Sequence, residues 1–116
     1  MKLIILDRDG VINHDSDKFI TSPSEWKPYK KSLEAIRKLK QNYWTVCIAT
    51  NQSGIGRNLF SEETLFKIHN KMFAKLKELN TNVDHIIYCP HKPDENCQCR
   101  KPKPGMYLTI SKKYNF

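Results

Sequence analysis

The apolar residues fall into short blocks set apart by long polar stretches. Leu3-Ile4-Ile5-Leu6 is a continuous apolar run that stops at Asp7, so Lys2–Leu6 predicts a buried strand. Thr45–Ala49 and Asp84–Tyr88 repeat that pattern. Leu33, Ile36 and Leu39 recur at helical spacing and predict a helix over Ser32 to about Gln41. A second stripe, Leu65, Ile68, Met72, Leu76 and Leu79, follows Ser61, a residue suited to capping a helix, and the acidic pair Glu62-Glu63. Lys103-Pro104-Gly105 opens a third helix that runs to about Lys113. Residues 7–29 show no period and contain Gly10, Pro23 and Pro28. They read as a long loop without regular structure, and loops of that length are usually functional.

The order is thus strand, loop, helix, three times over. Alternation of this kind predicts an α/β fold, a parallel sheet covered by helices on both faces. No repeat and no internal boundary is visible, so the 116 residues are expected to form a single domain. Open α/β sheets bind ligands beyond the carboxyl ends of their strands. The segments starting at Asp7, Thr50 and Cys89 would meet there.

Composition narrows the class. With 39% hydrophobic and 28% charged residues, the chain reads as globular. The apolar run near the N-terminus is too short to span a membrane and lacks the form of a secretory signal. The expectation is a cytoplasmic protein without a membrane partner, acting as a monomer. The formal charge of +8 has competing readings: a nucleic-acid surface, a few cations converging on a phosphorylated small molecule, or a plain lysine-rich surface. No helix-turn-helix, RNA-recognition or basic-zipper pattern is present, so no nucleic-acid partner is expected.

The three strand ends carry distinct chemistry. D-R-D-G-V-I-N, starting at Asp7, sets two carboxylates two residues apart past a buried strand. Asp7 can attack phosphorus to form an acyl phosphate, and Asp9 can exchange protons with the leaving oxygen and with water. Such chemistry calls for a divalent cation, and magnesium suits oxygen ligands. A turn-forming Asp pair is the competing reading. T-N-Q-S-G-I-G-R, from Thr50 to Arg57, offers hydroxyl and amide donors and two glycines, which also fits an ordinary turn. C-P-H-K-P-D-E-N-C-Q-C supplies Cys89, His91, Cys97 and Cys99, a set that matches a closed, structural zinc site. A disulfide is the alternative, and a cytoplasmic setting argues against it. Arg100 and Lys101 follow directly and can meet phosphate charge. Cys47 reads as a small core residue. His14, His69 and His85 have no partner legible in the sequence, so surface or packing roles are expected.

Together, L-D-R-D-G-V-I-N, A-T-N-Q-S-G-I-G-R and C-P-H-K-P-D-E-N-C-Q-C-R-K-P-K-P-G-M resemble the haloacid dehalogenase superfamily of phosphatases. More narrowly, the chain is similar to the D-glycero-D-manno-heptose 1,7-bisphosphate phosphatases and to histidinol-phosphatase domains. Ser53, Arg57 and Pro104-Gly105-Met106 favour the heptose side. The resemblance implies a Rossmann-like three-layer sandwich without a cap domain. It implies a sugar phosphate as substrate, Asp7 as nucleophile and Asp9 as general acid/base. Magnesium would be held by the Asp7 carboxylate and the Asp9 backbone carbonyl, with zinc on the cysteine loop. Thr50 and Lys101 would stabilise the transferred phosphoryl. Asp15, Ser16, Asp17, Lys18, Asn51, Gln52, Ser53 and Arg100 would bind substrate. The family's pattern continues into a fourth strand with a Gly-Asp motif that completes the magnesium site, whereas no Asp or Glu follows Glu95 here. The expectation is a domain cut short before that motif, either part of an active enzyme or an inactive relative.

Overall fold

The computed structural model describes residues 2–115. Three strands, β1 (Lys2–Leu6), β2 (Trp44–Asn51) and β3 (His85–Cys89), alternate with three helices. These are α1 (Lys30–Gln41), α2 (Glu62–Glu78) and α3 (Gly105–Tyr114). The sheet is parallel throughout, in the order β1-β2-β3, with Ile5 beside Cys47 and Thr50 beside Tyr88.

Strand β2 is central, and Val46 through Thr50 are all buried. Side chains alternate across a strand, so this run feeds two cores. Val46 and Ile48 pack with Leu33 and Ile36 of α1 and with Ile68, Met72 and Leu76 of α2. Cys47 and Ala49 face the other way, onto Met106 and Ile110 of α3. Both crossover helices therefore share one face, as right-handed connections stepping in one direction require. Helix α3 covers the other face and completes the expected three layers.

The helical stripe of α2 is buried as its spacing predicts, and the Ser61 side chain accepts a hydrogen bond from the Thr64 N–H at 3.1 Å. Leu79 caps the helix instead of belonging to it. The long loop after Asp7 departs from expectation. It contains a 3-10 turn, Pro23–Glu25, and inserts Ile12, Ile20 and a fully buried Trp26 into the larger core. Lys71 of α2 secures the insertion by donating to the carbonyls of Pro23 and Trp26, each at 2.8 Å. Ile12, Ile20 and Trp26 follow no helical or strand period, so the hydrophobic pattern gives no sign that this loop is part of the core. No described helix is long and apolar enough to cross a membrane.

Candidate active site

The carboxyl ends of the strands converge on a cavity of about 280 Å³. Asp7 and Asp9 line it from beyond β1, Asn51 and Ser53 from beyond β2, and Arg100 and Lys101 from beyond β3. Asp15, Ser16 and Phe19 of the first loop form its remaining wall. Asp17 and Lys18 are exposed and outside this lining, although the Lys18 N–H donates to Ser16 Oγ at 3.1 Å. Phe19 escaped the sequence reading. It adopts φ 68°, an uncommon conformation for a bulky residue, and the Arg57 guanidinium lies 5.6 Å from its ring centroid.

Asp7 leaves β1 with its side chain partly exposed. Its Oδ1 accepts from the Arg8 N–H at 2.8 Å and lies 3.1 Å from Lys101 Nζ. Both contacts fall on Oδ1, which leaves Oδ2 open among the described residues. The open Asp7 carboxylate oxygen beside the cavity is a hard donor of the sort magnesium takes.

Lys101 is placed by the end of β2. Its ammonium donates to the Ala49 carbonyl at 2.9 Å. Its N–H donates to Asn51 Oδ1 at 3.0 Å, while Asn51 Nδ2 donates to its carbonyl at 3.2 Å. The second loop is also sewn to the third by Gln52 N–H to Cys89 O at 2.7 Å and Gly56 N–H to Pro90 O at 2.9 Å. A Cβ on Gly56 would sit 2.7 Å from that same Pro90 oxygen, so the contact requires glycine.

Asp9 is gripped from several sides. Arg8 Nε donates to Oδ1 at 2.9 Å and Arg8 Nη2 lies 2.7 Å from the same oxygen. Asn13 Nδ2 donates to Oδ1 at 3.0 Å, and Gln52 Nε2 to Oδ2 at 3.0 Å. Gln52 also donates to Thr50 Oγ1 at 3.0 Å. Gln52 and Thr50 are therefore buried behind the cavity wall, with their polar atoms turned to each other and to Asp9.

Arg8 is fully buried, and its Nη1 meets His69 Nε2 of α2 at 3.1 Å. Burial first, and then the neighbouring guanidinium, push His69 down to about 3, so the ring is neutral and accepts from Arg8. The Arg8–His69 contact was not part of the sequence reading.

Cys89, His91, Cys97 and Cys99 come together as the spacing predicts, with all four ligand atoms within 4.8 Å of one another. The four cysteines of the chain are free thiols, which removes the disulfide alternative in this structure. Cys89 Sγ lies 3.4 Å from His91 Nδ1 and 3.6 Å from Cys97 Sγ. A tetrahedral zinc with Zn–S bonds of about 2.3 Å has ligand edges of about 3.8 Å, so the donors need shift little to accept one. The thiols compete for protons. Desolvation and then Cys99 push Cys89 up to about 12. Desolvation also opposes ionisation of Cys97, but the Arg100 backbone and the two other thiols draw it down to about 6. The cluster lies against α3, where Gly105 N–H donates to Gln98 O at 3.0 Å.

A parallel α/β sheet with paired aspartates and the cations Arg100 and Lys101 around one cavity at its carboxyl edge defines a phosphatase domain of the haloacid dehalogenase type. A family model described as polynucleotide kinase 3 phosphatase matches residues 2–116, and the chain belongs to that family. Within it, the chain is 56% identical over 115 residues to a D-glycero-beta-D-manno-heptose-1,7-bisphosphate 7-phosphatase of Bordetella bronchiseptica. That match covers 99% of this chain and 64% of the relative. A probable D-glycero-D-manno-heptose-1,7-bisphosphate 7-phosphatase of Thermoplasma volcanium is 37% identical, with 98% of this chain and 77% of the relative covered. The crystal structure of the B. bronchiseptica D,D-heptose 1,7-bisphosphate phosphatase, complexed with magnesium and phosphate, superimposes with a TM-score of 0.97 at 55% identity. It is matched over 100% of this chain and 65% of its own length. These relatives fall on the heptose side of the two resemblances. The chain spans a little under two thirds of the length of the B. bronchiseptica enzyme.

Proposed function

We propose that this chain forms the reacting centre of a magnesium-dependent phosphatase that removes the C7 phosphate of D-glycero-D-manno-heptose 1,7-bisphosphate. The product, a heptose 1-phosphate, suits nucleotide activation for lipopolysaccharide or related glycan synthesis. The observation that carries the reading is the convergence of Asp7, Asp9 and Lys101 on one cavity, with Lys101 Nζ 3.1 Å from Asp7 Oδ1. The names of the heptose phosphatase relatives support this substrate class. A cytoplasmic setting, which keeps thiols reduced, suits the free cysteines.

In this reading an Asp7 carboxylate oxygen attacks phosphorus, and the bond from phosphorus to the sugar oxygen breaks. Asp9 gives that oxygen its proton, leaving an aspartyl phosphate on Asp7. Asp9 then takes a proton from water, the water oxygen attacks phosphorus, and inorganic phosphate leaves with Asp7 restored. Lys101 offsets charge on the equatorial phosphoryl oxygens, while Thr50 holds Gln52 behind the cavity wall. Magnesium, when held by the Asp7 carboxylate and the Asp9 carbonyl, supplies positive charge between the nucleophile and the phosphate dianion. Asp15, Ser16, Asn51, Ser53 and Arg100, which line the cavity, bind the sugar and its second phosphate, with Asp17 and Lys18 beside them in the first loop and Gln52 placing Asp9. Zinc on Cys89, His91, Cys97 and Cys99 fixes the loop that presents Arg100 and Lys101. The chain acts as a single-domain monomer.

Phosphate release from heptose 1,7-bisphosphate and from histidinol phosphate, with and without magnesium, tests the reading. Magnesium-dependent release with the heptose bisphosphate preferred supports it. Preference for histidinol phosphate would overturn the substrate assignment, and no release from either would overturn enzymatic activity for this chain.

A further inference from the structure

Asp9 must hold one orientation to give and then take a proton, yet it sits on a loop past the end of β1. What stiffens it lies beneath the cavity. Arg8 is wholly buried, and the one carboxylate it meets among the described residues is Asp9, at 2.7 and 2.9 Å. A guanidinium is a planar fork, so two contacts on one oxygen fix both groups only if the fork itself cannot rotate. His69 supplies that stop. It projects from α2, sixty-one residues away in sequence, and takes Nη1 at 3.1 Å. Helix α2 is anchored in the larger core by Ile68 and Met72 on either side of His69.

We propose that His69 is a positioning residue for the phosphatase reaction, acting through Arg8 to hold the Asp9 carboxylate in its working orientation. This rests on the phosphatase reading above. Had His69 merely filled the core, any residue of similar volume would serve. A positioning role requires an acceptor at Nε2. The ring is neutral, with its lone pair free for the guanidinium. Gln52 Nε2 on Asp9 Oδ2 at 3.0 Å and Asn13 Nδ2 on Oδ1 at 3.0 Å complete the clamp. His69 does not line the cavity, so its loss should alter turnover and spare binding.

The test uses His69→Phe, which keeps a ring and removes the acceptor, and His69→Gln, which keeps an acceptor. Arg8 is a poorer target because deleting it strands Asp9 beside a buried gap. The expected result is a kcat about tenfold or more lower in His69→Phe, with KM within about twofold and most of the loss recovered in His69→Gln. A His69→Phe kcat within about twofold of the parent, in a chain whose turnover needs Asp7, overturns the proposal and leaves the phosphatase reading standing. A second readout does not need turnover. In nitrogen-15 NMR spectra, His69 Nε2 should carry no proton, and the Arg8 guanidinium signals should shift in His69→Phe and return towards the parent in His69→Gln. Arg8 signals unchanged by His69→Phe would overturn the proposal whether or not the chain turns over substrate.

Discussion

Asn51 holds Lys101 by both of its backbone polar groups: its Oδ1 accepts from the Lys101 N–H at 3.0 Å, and its Nδ2 donates to the Lys101 carbonyl at 3.2 Å. The end of β2 thereby sets where the third loop presents its ammonium to Asp7. An amide side chain is needed for this, because only it offers a donor and an acceptor side by side. Asn51→Ala should lower stability by about 1–3 kcal/mol, the usual cost of two lost hydrogen bonds. Turnover should fall by about tenfold or more as Lys101 loses its register. Thermal denaturation and steady-state kinetics of the same variant check both effects. Asn51→Asp keeps the acceptor for the Lys101 N–H and loses the donor to its carbonyl, so it should be affected less than the alanine variant.

Lys101 itself carries charge to Asp7 across 3.1 Å. Lys101→Ala should reduce kcat by about a hundredfold or more, in the range of a lost electrostatic stabiliser. Lys101→Arg should recover only part of the loss. The ammonium also bonds the Ala49 carbonyl at 2.9 Å, a compact arrangement that a planar guanidinium does not reproduce.

His69 gives the fold a pH dependence of known sign. Burial and Arg8 hold it down to about 3, against 6.5 for the free side chain, while Asp9 pulls weakly the other way. The unfolded chain takes up a proton as pH drops below 6.5 and the folded chain does not. The associated stability is therefore complete above that value and is lost as pH falls towards about 3. The loss approaches about 1.4 kcal/mol per pH unit over the interval from about 6 to 5, before most carboxylates titrate. Urea unfolding across that interval should show the slope, and His69→Gln should flatten it. His85, shifted down by burial and by Lys113, leaves a smaller slope in the variant.

Zinc bound by Cys89, His91, Cys97 and Cys99 predicts about one zinc per folded chain by elemental analysis. A strong chelator should lower the melting temperature and weaken substrate binding through Arg100 and Lys101, with the chain still largely folded. A well-folded chain with far less than one zinc would contradict the assignment.

The sequence made the three strands and the parallel sheet legible because each strand is a local apolar block and each crossover helix carries its own stripe. Cys89 to Cys99 were legible for the same reason, since all four ligands lie within eleven residues. Arg8 and His69 were not, because a contact across sixty-one residues has no local spacing to betray it. Phe19 and the Trp26 insertion were missed for a related reason: isolated apolar residues in a polar loop acquire meaning only when the loop is folded onto α1 and α2. Gln52 looked like a cavity residue from its place in the loop. Its amide instead spans Asp9 and Thr50, a distinction only side-chain direction can make.

In the proposed phosphatase reaction Asp7 is the nucleophile. The most direct measurement is magnesium-supported phosphate release from heptose 1,7-bisphosphate by the parent chain and by Asp7→Asn under identical conditions. Asn keeps the side-chain shape but not the anionic nucleophile, so turnover should fall by at least about a thousandfold while the variant remains folded. Equal rates in the parent and in Asp7→Asn would contradict the account.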